Sequence, residues 1–371
     1  MTQLPTVAQI CLTRSWGGLD MNSVRYTRYF RDDGYQSYCF CLENTPIHNQ
    51  LKKDGLNGIP LKGREYLSPG LTRRLRQEIR EKHIQAIYCH HLKDLWLIWP
   101  ALWGMPEVKL IGFARMFLKD TNKNDFGHKL VYGRLNKLIA LSSIQKSYLL
   151  NCLPVPDGKY TVIPNGVDTV KYQPRPADMK IRRELGAKGD EILVALVGRF
   201  DPMKGQLETI KAAKIVLEKY EKVHFALVGD DTANEASIRP LMAELKKQLG
   251  VGDKVSFHQA RTDMPQVMNA IDIFLLPSYE ENFSNVLLEA MASGVACIGT
   301  DSGGTPEIIE HEVSGLLVKP EDEKSLAAAI LRLLEDPDLR RRLGAGARRK
   351  AETTFDLKKV FQSAAALVGS R

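Results

Sequence analysis

Short apolar runs rich in Val, Ile and Leu alternate with longer amphipathic stretches along almost the whole chain, and that alternation predicts its elements. In the first half, the runs 6–13, 36–42, 85–91, 109–114, 137–141 and 160–163 read as buried strands. Helical spacing appears in 71–82, 94–103 and 124–135, and in the stretch from residue 18 to about 33. In the second half, 192–197, 223–228, 254–257, 272–276 and 296–299 are strand-like, and 324–334 with 339–351 close the pattern as helices. Strands and helices in this order predict parallel, doubly wound α/β sheets. At 371 residues the chain exceeds the length at which one core keeps growing, so two domains are expected. Asn165-Gly166 is a turn signal near their junction. The expected division is 1–168, 169–352 and a C-terminal helix over 353–371.

Polar residues collect where these strands end. After the first strand, Gly17 and Gly18 let backbone approach a ligand, although their spacing is not the Gly-x-Gly-x-x-Gly of dinucleotide sites. After 272–276, Pro277 and Ser278 stop the strand, Ser284 caps a helix over 285–293, and Gly294 ends it. The free amides of Asn285 and Val286 at that helix mouth suit phosphate. Two carboxylates flank it: Glu281 in the preceding loop, and Glu289 in the second turn, leaning back toward the N-terminus. Carboxylates beside a phosphate site are placed to accept hydrogen bonds from the hydroxyls of a ribose or hexose. Arg199 and Lys204, after 192–197, add two cations able to neutralise a diphosphate. Asp301, Gly303, Gly304 and Glu307 follow 296–299, and Gly229-Asp230 and His258 sit at two further strand ends. Taken singly, these are a solvated Glu on an amphipathic helix and a surface Arg and Lys. Taken together at matching strand ends they read as a site, and a sugar nucleotide carries all the groups it would bind.

The segment Glu281-Asn-Phe-Ser-Asn-Val-Leu-Leu-Glu289 resembles the Glu-x7-Glu signature of the family-4 retaining glycosyltransferases. Their GT-B fold consists of two Rossmann-like domains facing an interdomain cleft. Asp301-Ser-Gly-Gly-Thr-Pro-Glu307 looks like that family's glycine-rich loop, and 162–168 looks like its handover between domains. The resemblance covers nearly the whole chain and is strongest from 164 to 317. It implies an α/β GT-B architecture and a retaining transfer of a sugar from a nucleotide diphosphate, UDP being the expected carrier, onto a hydroxyl acceptor. Arg199 and Lys204 would hold the diphosphate, Glu289 the ribose and Glu281 the transferred sugar. Asn285 and Val286 would meet the phosphates, His258 would lie near the base by backbone contact, and Gly17-Gly18 would close over the donor. Asp301, Gly303, Gly304 and Arg115 would serve the sugar or acceptor side. The departing phosphate would deprotonate the acceptor, so no cofactor is expected. No metal is expected either, since Arg199 and Lys204 supply the positive charge. The tail after Phe355 would cross back to the first domain. One departure concerns the end of 109–114, where the family often has a His; here Arg115 stands nearest and His128 lies further on. Asn282 and Ser284 replace frequent glycines and narrow the expected sugar pocket.

Charge narrows the partners. Residues 1–170 hold 23 Lys+Arg against 14 Asp+Glu, and the remainder 29 against 30. The basic excess therefore belongs to the first half, and suits an anionic membrane surface or a phosphorylated acceptor. Nucleic acid is not expected, because no recognised module or interleaved aromatic platform accompanies the cations. Arg73, Arg74, Arg76, Arg80 and Lys82 crowd one helical stretch, open to reading as a solvated face or a lipid contact. Trp96, Trp99 and Trp103 recur at helical spacing and read as core packing, interrupted by Pro100. Six scattered cysteines without a Cys-x-x-Cys pair read as buried free thiols in a reducing cytoplasm. No signal peptide opens the chain and no apolar run is long enough to span a bilayer, so the expected place is the cytoplasm, peripheral to the plasma membrane. The resemblance of the basic half to envelope-glycan enzymes points to a glycan or glycolipid acceptor such as lipopolysaccharide. Three rivals stand beside the transferase: a nucleotide-sugar epimerase on the same fold, a glycosidase with Glu281 and Glu289 as its pair, and, last, a non-enzymatic binder using the basic half for nucleic acid. The adjacent phosphate-binding cations oppose the glycosidase.

Overall fold

The computed structural model describes residues 4–15, 17–63, 68–115, 122–231 and 236–369. The chain divides into two compact units, Met1–Pro164 with Val360–Arg371, and Asn165–Lys359. In the first, β1 (Val7–Cys11), β2 (Ser37–Leu42), β3 (Gly58–Leu61), β4 (Ala86–Cys89), β5 (Lys109–Ala114), β6 (Lys137–Ala140) and β7 (Tyr160–Val162) form one sheet. All its pairings are parallel, in the order β3-β2-β1-β4-β5-β6-β7. Every residue of β1 is buried, as expected of a strand covered by helices on both faces. On one face Leu71, Leu75 and Ile79 of the helix Pro69–Glu81 join Leu95 and Ile98 of Leu95–Ala101 and Val131 of Phe126–Gly133. On the other, Tyr26 and Phe30 of the helix Gly18–Asp32 pack with Phe361 and Ala364 of the helix Leu357–Ala365. Phe361 stands edge-on to Phe30 with centroids 4.5 Å apart, and Tyr88 Oη donates to the Ala364 carbonyl at 2.6 Å. The last helix thus completes the first unit's core.

The second unit has β8 (Ile192–Val197), β9 (Val223–Val228), β10 (Val255–His258), β11 (Ile273–Leu276), β12 (Ala296–Thr300) and β13 (Leu316–Val318). They pair in parallel in the order β10-β9-β8-β11-β12-β13. Val194, Leu196, Phe225, Leu227 and Ile273 form the core with Ile210 and Val216 of the helix Gln206–Leu217 and Leu326 and Ile330 of Glu323–Glu335. Each sheet reverses its winding once, between β1 and β4 and between β8 and β11. At such a switch point two adjacent strands send their loops apart and leave a crevice for a ligand.

Three expectations change. β3 and β13 escape the apolar pattern because they are short edge strands, and β3 carries Pro60, which an edge tolerates. Asn165-Gly166 forms no tight turn: Val167 pairs in parallel with Asp356, and Asn165 Nδ2 donates to the Phe283 carbonyl at 3.2 Å, so the segment stays extended. The Trp stripe is divided. Trp96 and Trp99 pack on the core, whereas Trp103 is 68% exposed. All six cysteines are free, five of them buried.

Candidate functional site

At the switch point of the second unit three loops lock together. The loop leaving β8 makes a short turn in which the Asp201 carboxylate accepts from the Met203 amide at 2.9 Å, and it ends at Gly205 with φ 75°. A Cβ there would lie 2.3 Å from the Pro277 carbonyl oxygen, so only glycine lets this loop meet the one leaving β11. The Tyr279 amide then donates to the Met203 carbonyl at 2.9 Å. The loop leaving β12 closes the third side. Thr300 Oγ1 donates to the Ser278 carbonyl at 2.5 Å, and Ser302 Oγ donates to that of Tyr279 at 2.7 Å. The Gly304 amide donates to the Glu281 carbonyl at 2.7 Å, and Gly303 (φ 55°) presses so near that a Cβ would stand 2.2 Å from the same oxygen.

Glu281 is therefore fixed at its backbone by Gly303 and Gly304 and at its carboxylate by Lys204, whose Nζ donates to Oε2 at 2.5 Å. Both side chains are about four-fifths shielded, at 22% and 20% exposure, which weakens solvent screening of the pair. The helix Asn285–Ala292 begins beside them, with Ser284 Oγ accepting from the Leu287 amide at 3.4 Å. Gly198, Lys204, Ser278, Glu281, Ser284 and Val286 line a hollow of about 50 Å³, room for one small group. Ser278 Oγ and Asn285 Oδ1 are buried and have no hydrogen-bond partner among the described residues. Unanswered polar atoms beside a lysine and a helix mouth are what a polar ligand would satisfy. Arg199 is exposed and forms no ion pair with a described residue, while its carbonyl accepts from Gln206 Nε2 at 2.7 Å. Glu289 is half-buried in the second turn of the helix, and Asp301 is exposed at the end of β12.

His258 ends β10 in a different setting. Its Nε2 bonds Ser256 Oγ at 2.7 Å, its carbonyl accepts from the Gly229 amide at 2.9 Å, and burial pushes its pKa below the ordinary value. The ring is thus tied within the sheet. The one Asp-x-Asp in the chain, Asp336-Pro337-Asp338, is a helix start: Asp336 accepts from the Leu339 amide at 2.8 Å and Asp338 pairs with Arg341.

In the first unit, Gly17 and Gly18 open the helix Gly18–Asp32 at the switch point between β1 and β4. The Gly17 amide donates to Asp20 Oδ2 at 2.9 Å, and Ser15 Oγ donates to the same oxygen at 3.0 Å. His91 Nε2 lies 3.3 Å from Asp20 Oδ1. Burial alone would raise the Asp20 pKa, but the bonds from His91, Ser15 and Gly17 outweigh it and hold the carboxyl below its usual range. Sequence reasoning missed both residues. Asp20, three places after the Gly17 cap, was the readable signal. Cys11, Asp20 and His91 place three donor atoms within 4.8 Å of one another, but burial pushes the Cys11 thiol well up, which opposes a thiolate ligand. Arg115 follows β5 directly, with its guanidinium carbon 4.1 Å from the Phe113 ring centre and Nη2 3.4 Å from His90 Nδ1. His90 Nε2 bonds Gln9 Oε1 at 2.9 Å, so that nitrogen donates and Nδ1 accepts from Arg115. Burial pushes Arg115 down to about 10, still cationic at neutral pH. Trp16, Met116, Phe117, Lys119 and Asp120, around the two expected loops, lie outside the described residues.

Two doubly wound parallel α/β units in one chain are the architecture of the GT-B glycosyltransferases. Residues 178–350 match the family model for glycosyl transferases group 1, and residues 16–171 match that for glycosyltransferase family 4. The chain belongs to this family of glycosyltransferases. It is 28% identical over 315 residues to D-inositol 3-phosphate glycosyltransferase of Salinispora arenicola, covering 77% of this chain and 70% of that protein. The enzyme of the same name from Thermobispora bispora is 30% identical over 264 residues, covering 67% of this chain and 61% of that one. The chain thus spans roughly two thirds of these relatives' length. Among solved structures, HepE of Anabaena in complex with UDP shares the fold, with a TM-score of 0.87 at 23% identity over 99% of this chain and 100% of that one.

Proposed function

We propose that the chain transfers a sugar, with retention and without a divalent metal, from a UDP-sugar to a hydroxyl of an envelope glycan or glycolipid. The observation that carries this reading is the shielded Lys204–Glu281 pair beside the mouth of Asn285–Ala292. Lys204, joined by Arg199, binds the diphosphate, with the Asn285 and Val286 amides at the helix mouth. Glu289 accepts from the ribose, and Glu281 stabilises positive charge that builds on the sugar as its bond to phosphate breaks. The leaving phosphate takes the acceptor proton on the same face, so no protein nucleophile is needed. The 50 Å³ hollow admits one small polar group of the donor, and the rest lies outside it. UDP as carrier is supported by the complex of HepE, and an anionic acceptor by the basic first half and the relatives' inositol phosphate. A glycolipid acceptor would bring the first unit to the anionic inner face of the plasma membrane.

Thermal shift with UDP tests the donor site. UDP at a hundred times its wild-type Kd should add about 2.7 kcal/mol of stability, and at the same concentration Lys204→Ala should cut that to about 0.4–1.4 kcal/mol. An unchanged shift in that variant moves the diphosphate elsewhere. Transfer lost in EDTA and restored by manganese would overturn the metal-free mechanism, and epimerised donor in the absence of acceptor would favour an epimerase.

A further inference from the structure

The second unit holds a cleft of about 240 Å³, several times the hollow beside Glu281, and none of its lining residues lines that hollow. One wall is the segment 171–178, and the other is the helix Met264–Ala270. Both walls are fastened by the protein itself. Asp168 Oδ1 accepts from the Val170 amide at 3.1 Å and the Lys171 amide at 2.9 Å, which sets the turn that carries Lys171. Arg348 Nη1 donates to the carbonyls of Thr169 at 3.0 Å, Tyr172 at 2.7 Å and Ala292 at 2.6 Å, and so ties that turn to the end of the helix Asn285–Ala292. Asn269 joins the walls. Its Oδ1 accepts from the Arg175 amide at 2.7 Å, and its Nδ2 donates to the Pro265 carbonyl at 2.8 Å. Arg182 Nη1 adds a bond to the Ala270 carbonyl at 2.7 Å. A cleft built in this way loses little freedom when a ligand enters it.

The polar groups that line the cleft are unspent. Lys171 and Arg175 are exposed and form no ion pair with a described residue, whereas Arg182, the next arginine along the chain, is paired with Asp272. Asp178 gives Oδ1 to the Lys180 amide at 2.8 Å, capping the helix Met179–Glu184, and its Oδ2 has no hydrogen bond with a described residue. The Gln266 side chain is likewise without one. Pro176 and Pro265 add apolar ring surface. Two cations in one cleft call for a dianion, because a single carboxylate would leave one of them unanswered. A phosphate monoester carries nearly two charges at neutral pH and meets a guanidinium as a fork. Asp178 opposes a bare phosphate but accepts from a hydroxyl, as Gln266 does. The proline rings suit the C–H face of a short polyol. The volume falls somewhat below the roughly 300–1,000 Å³ of sites for drug-sized ligands, which limits the occupant to a small molecule.

We infer that this cleft binds a small phosphate monoester of a polyol, with the phosphate on Lys171 and Arg175 and the hydroxyls on Asp178 and Gln266. The site is separate from the donor site proposed above and does not depend on it.

Calorimetric titration of the full chain tests it, with sorbitol 6-phosphate as the probe, inorganic phosphate and sorbitol as separate arms, and ionic strength held at about 0.15 M. The ester should bind one to one and about fivefold more tightly than inorganic phosphate, the scale of one neutral hydrogen bond, while sorbitol alone should not bind measurably. Lys171→Gln with Arg175→Gln should weaken the ester at least about tenfold, the scale of one charge-assisted hydrogen bond. Asp178→Asn keeps the helix cap and removes the charge, so inorganic phosphate should bind more tightly and the preference for the ester should narrow. Lys204→Ala should leave ester binding unchanged, which separates this cleft from the diphosphate site. Residues 171, 175 and 178 are all exposed, and an unchanged melting temperature and UDP shift in the cleft variants show that the fold and donor site persist. No ester binding by the wild type, equal binding of inorganic phosphate, wild-type affinity in the double variant, an unchanged ester preference in Asp178→Asn, or loss of the ester in Lys204→Ala would overturn the inference. A missing UDP shift alongside intact ester binding would instead count against the proposed donor site alone.

Discussion

Neutralising Glu281 should separate donor binding from transfer, because the Lys204 ammonium proposed for the diphosphate is held at 2.5 Å by that carboxylate. The two anions compete for one cation in a setting where each partner is only about one-fifth exposed. A charge-assisted hydrogen bond contributes about 1.5–3 kcal/mol, so Lys204→Ala should weaken UDP binding about tenfold to a hundredfold. Glu281→Gln keeps the shape of the side chain and removes the competing charge. UDP affinity should then hold or tighten by up to about tenfold, while kcat falls about 10²–10³-fold with the loss of charge stabilisation at the sugar. Calorimetric titration of UDP into both variants at one ionic strength, beside transfer kinetics, reads the two effects separately. The double variant should bind UDP as Lys204→Ala does, since Glu281 acts on the nucleotide only through the lysine. Loss of UDP affinity in Glu281→Gln as large as in Lys204→Ala would refute the reasoning. Glu281 would then be a strut that positions the lysine.

Gly303→Ala should cost about 2 kcal/mol or more, from its left-handed backbone and the 2.2 Å approach to the Glu281 carbonyl, and should lower kcat more than UDP affinity; melting and kinetics check it. His224, 4% exposed and bonded to Ser256 Oγ, is pushed down to about 4 chiefly by burial, whereas an unfolded histidine takes a proton near 6.5. Its contribution is whole above pH 6.5 and lost as pH falls toward 4, so urea unfolding of wild type against His224→Gln should show a difference shrinking by about 3 kcal/mol across that window. Phe361→Ala should destabilise the first unit by about 3–5 kcal/mol, because the 2%-exposed ring fills the space between Phe30, Tyr29 and Tyr26. Urea unfolding unchanged by that substitution would mean the last helix is not part of the core.

Most of the fold was legible because parallel strands buried on both faces are near-continuous apolar runs. β5 and β8 begin and end where the pattern places them, at Lys109–Ala114 and Ile192–Val197. Edge strands carry less of that signal, which is why Pro60 hid β3 and three residues were too few to announce β13. Local turn chemistry misled at Asn165, where the side chain serves the Phe283 carbonyl in place of its own backbone. The Trp stripe shows the same limit. Spacing places three indoles on one helix, but the helix stops at Ala101, so Trp103 falls in the turn beyond it and meets water.

The candidate site was legible as residue types at strand ends and illegible as contacts. Lys204 and Glu281 were expected on different parts of the donor, yet they meet across 77 positions of sequence. The two glycines of the β12 loop were expected near the ligand; the structure shows them first as a brace on the Glu281 backbone, since a side chain at 303 would collide with its carbonyl. That changes what those glycines are for. A carboxylate proposed to face developing charge would lose effect if it swung away, and Gly303 with Gly304 fixes its main chain while Lys204 fixes its tip. Asp20 and His91, separated by 71 positions, escaped for the same reason: nothing along the chain joins a carboxyl after β1 to an imidazole after β4 until the sheet places those strands side by side. A winding reversal makes such neighbours of residues far apart in sequence. The side chains to examine first in a doubly wound sheet are therefore those in the first few positions after the two strands that flank the reversal, whatever motif they do or do not spell.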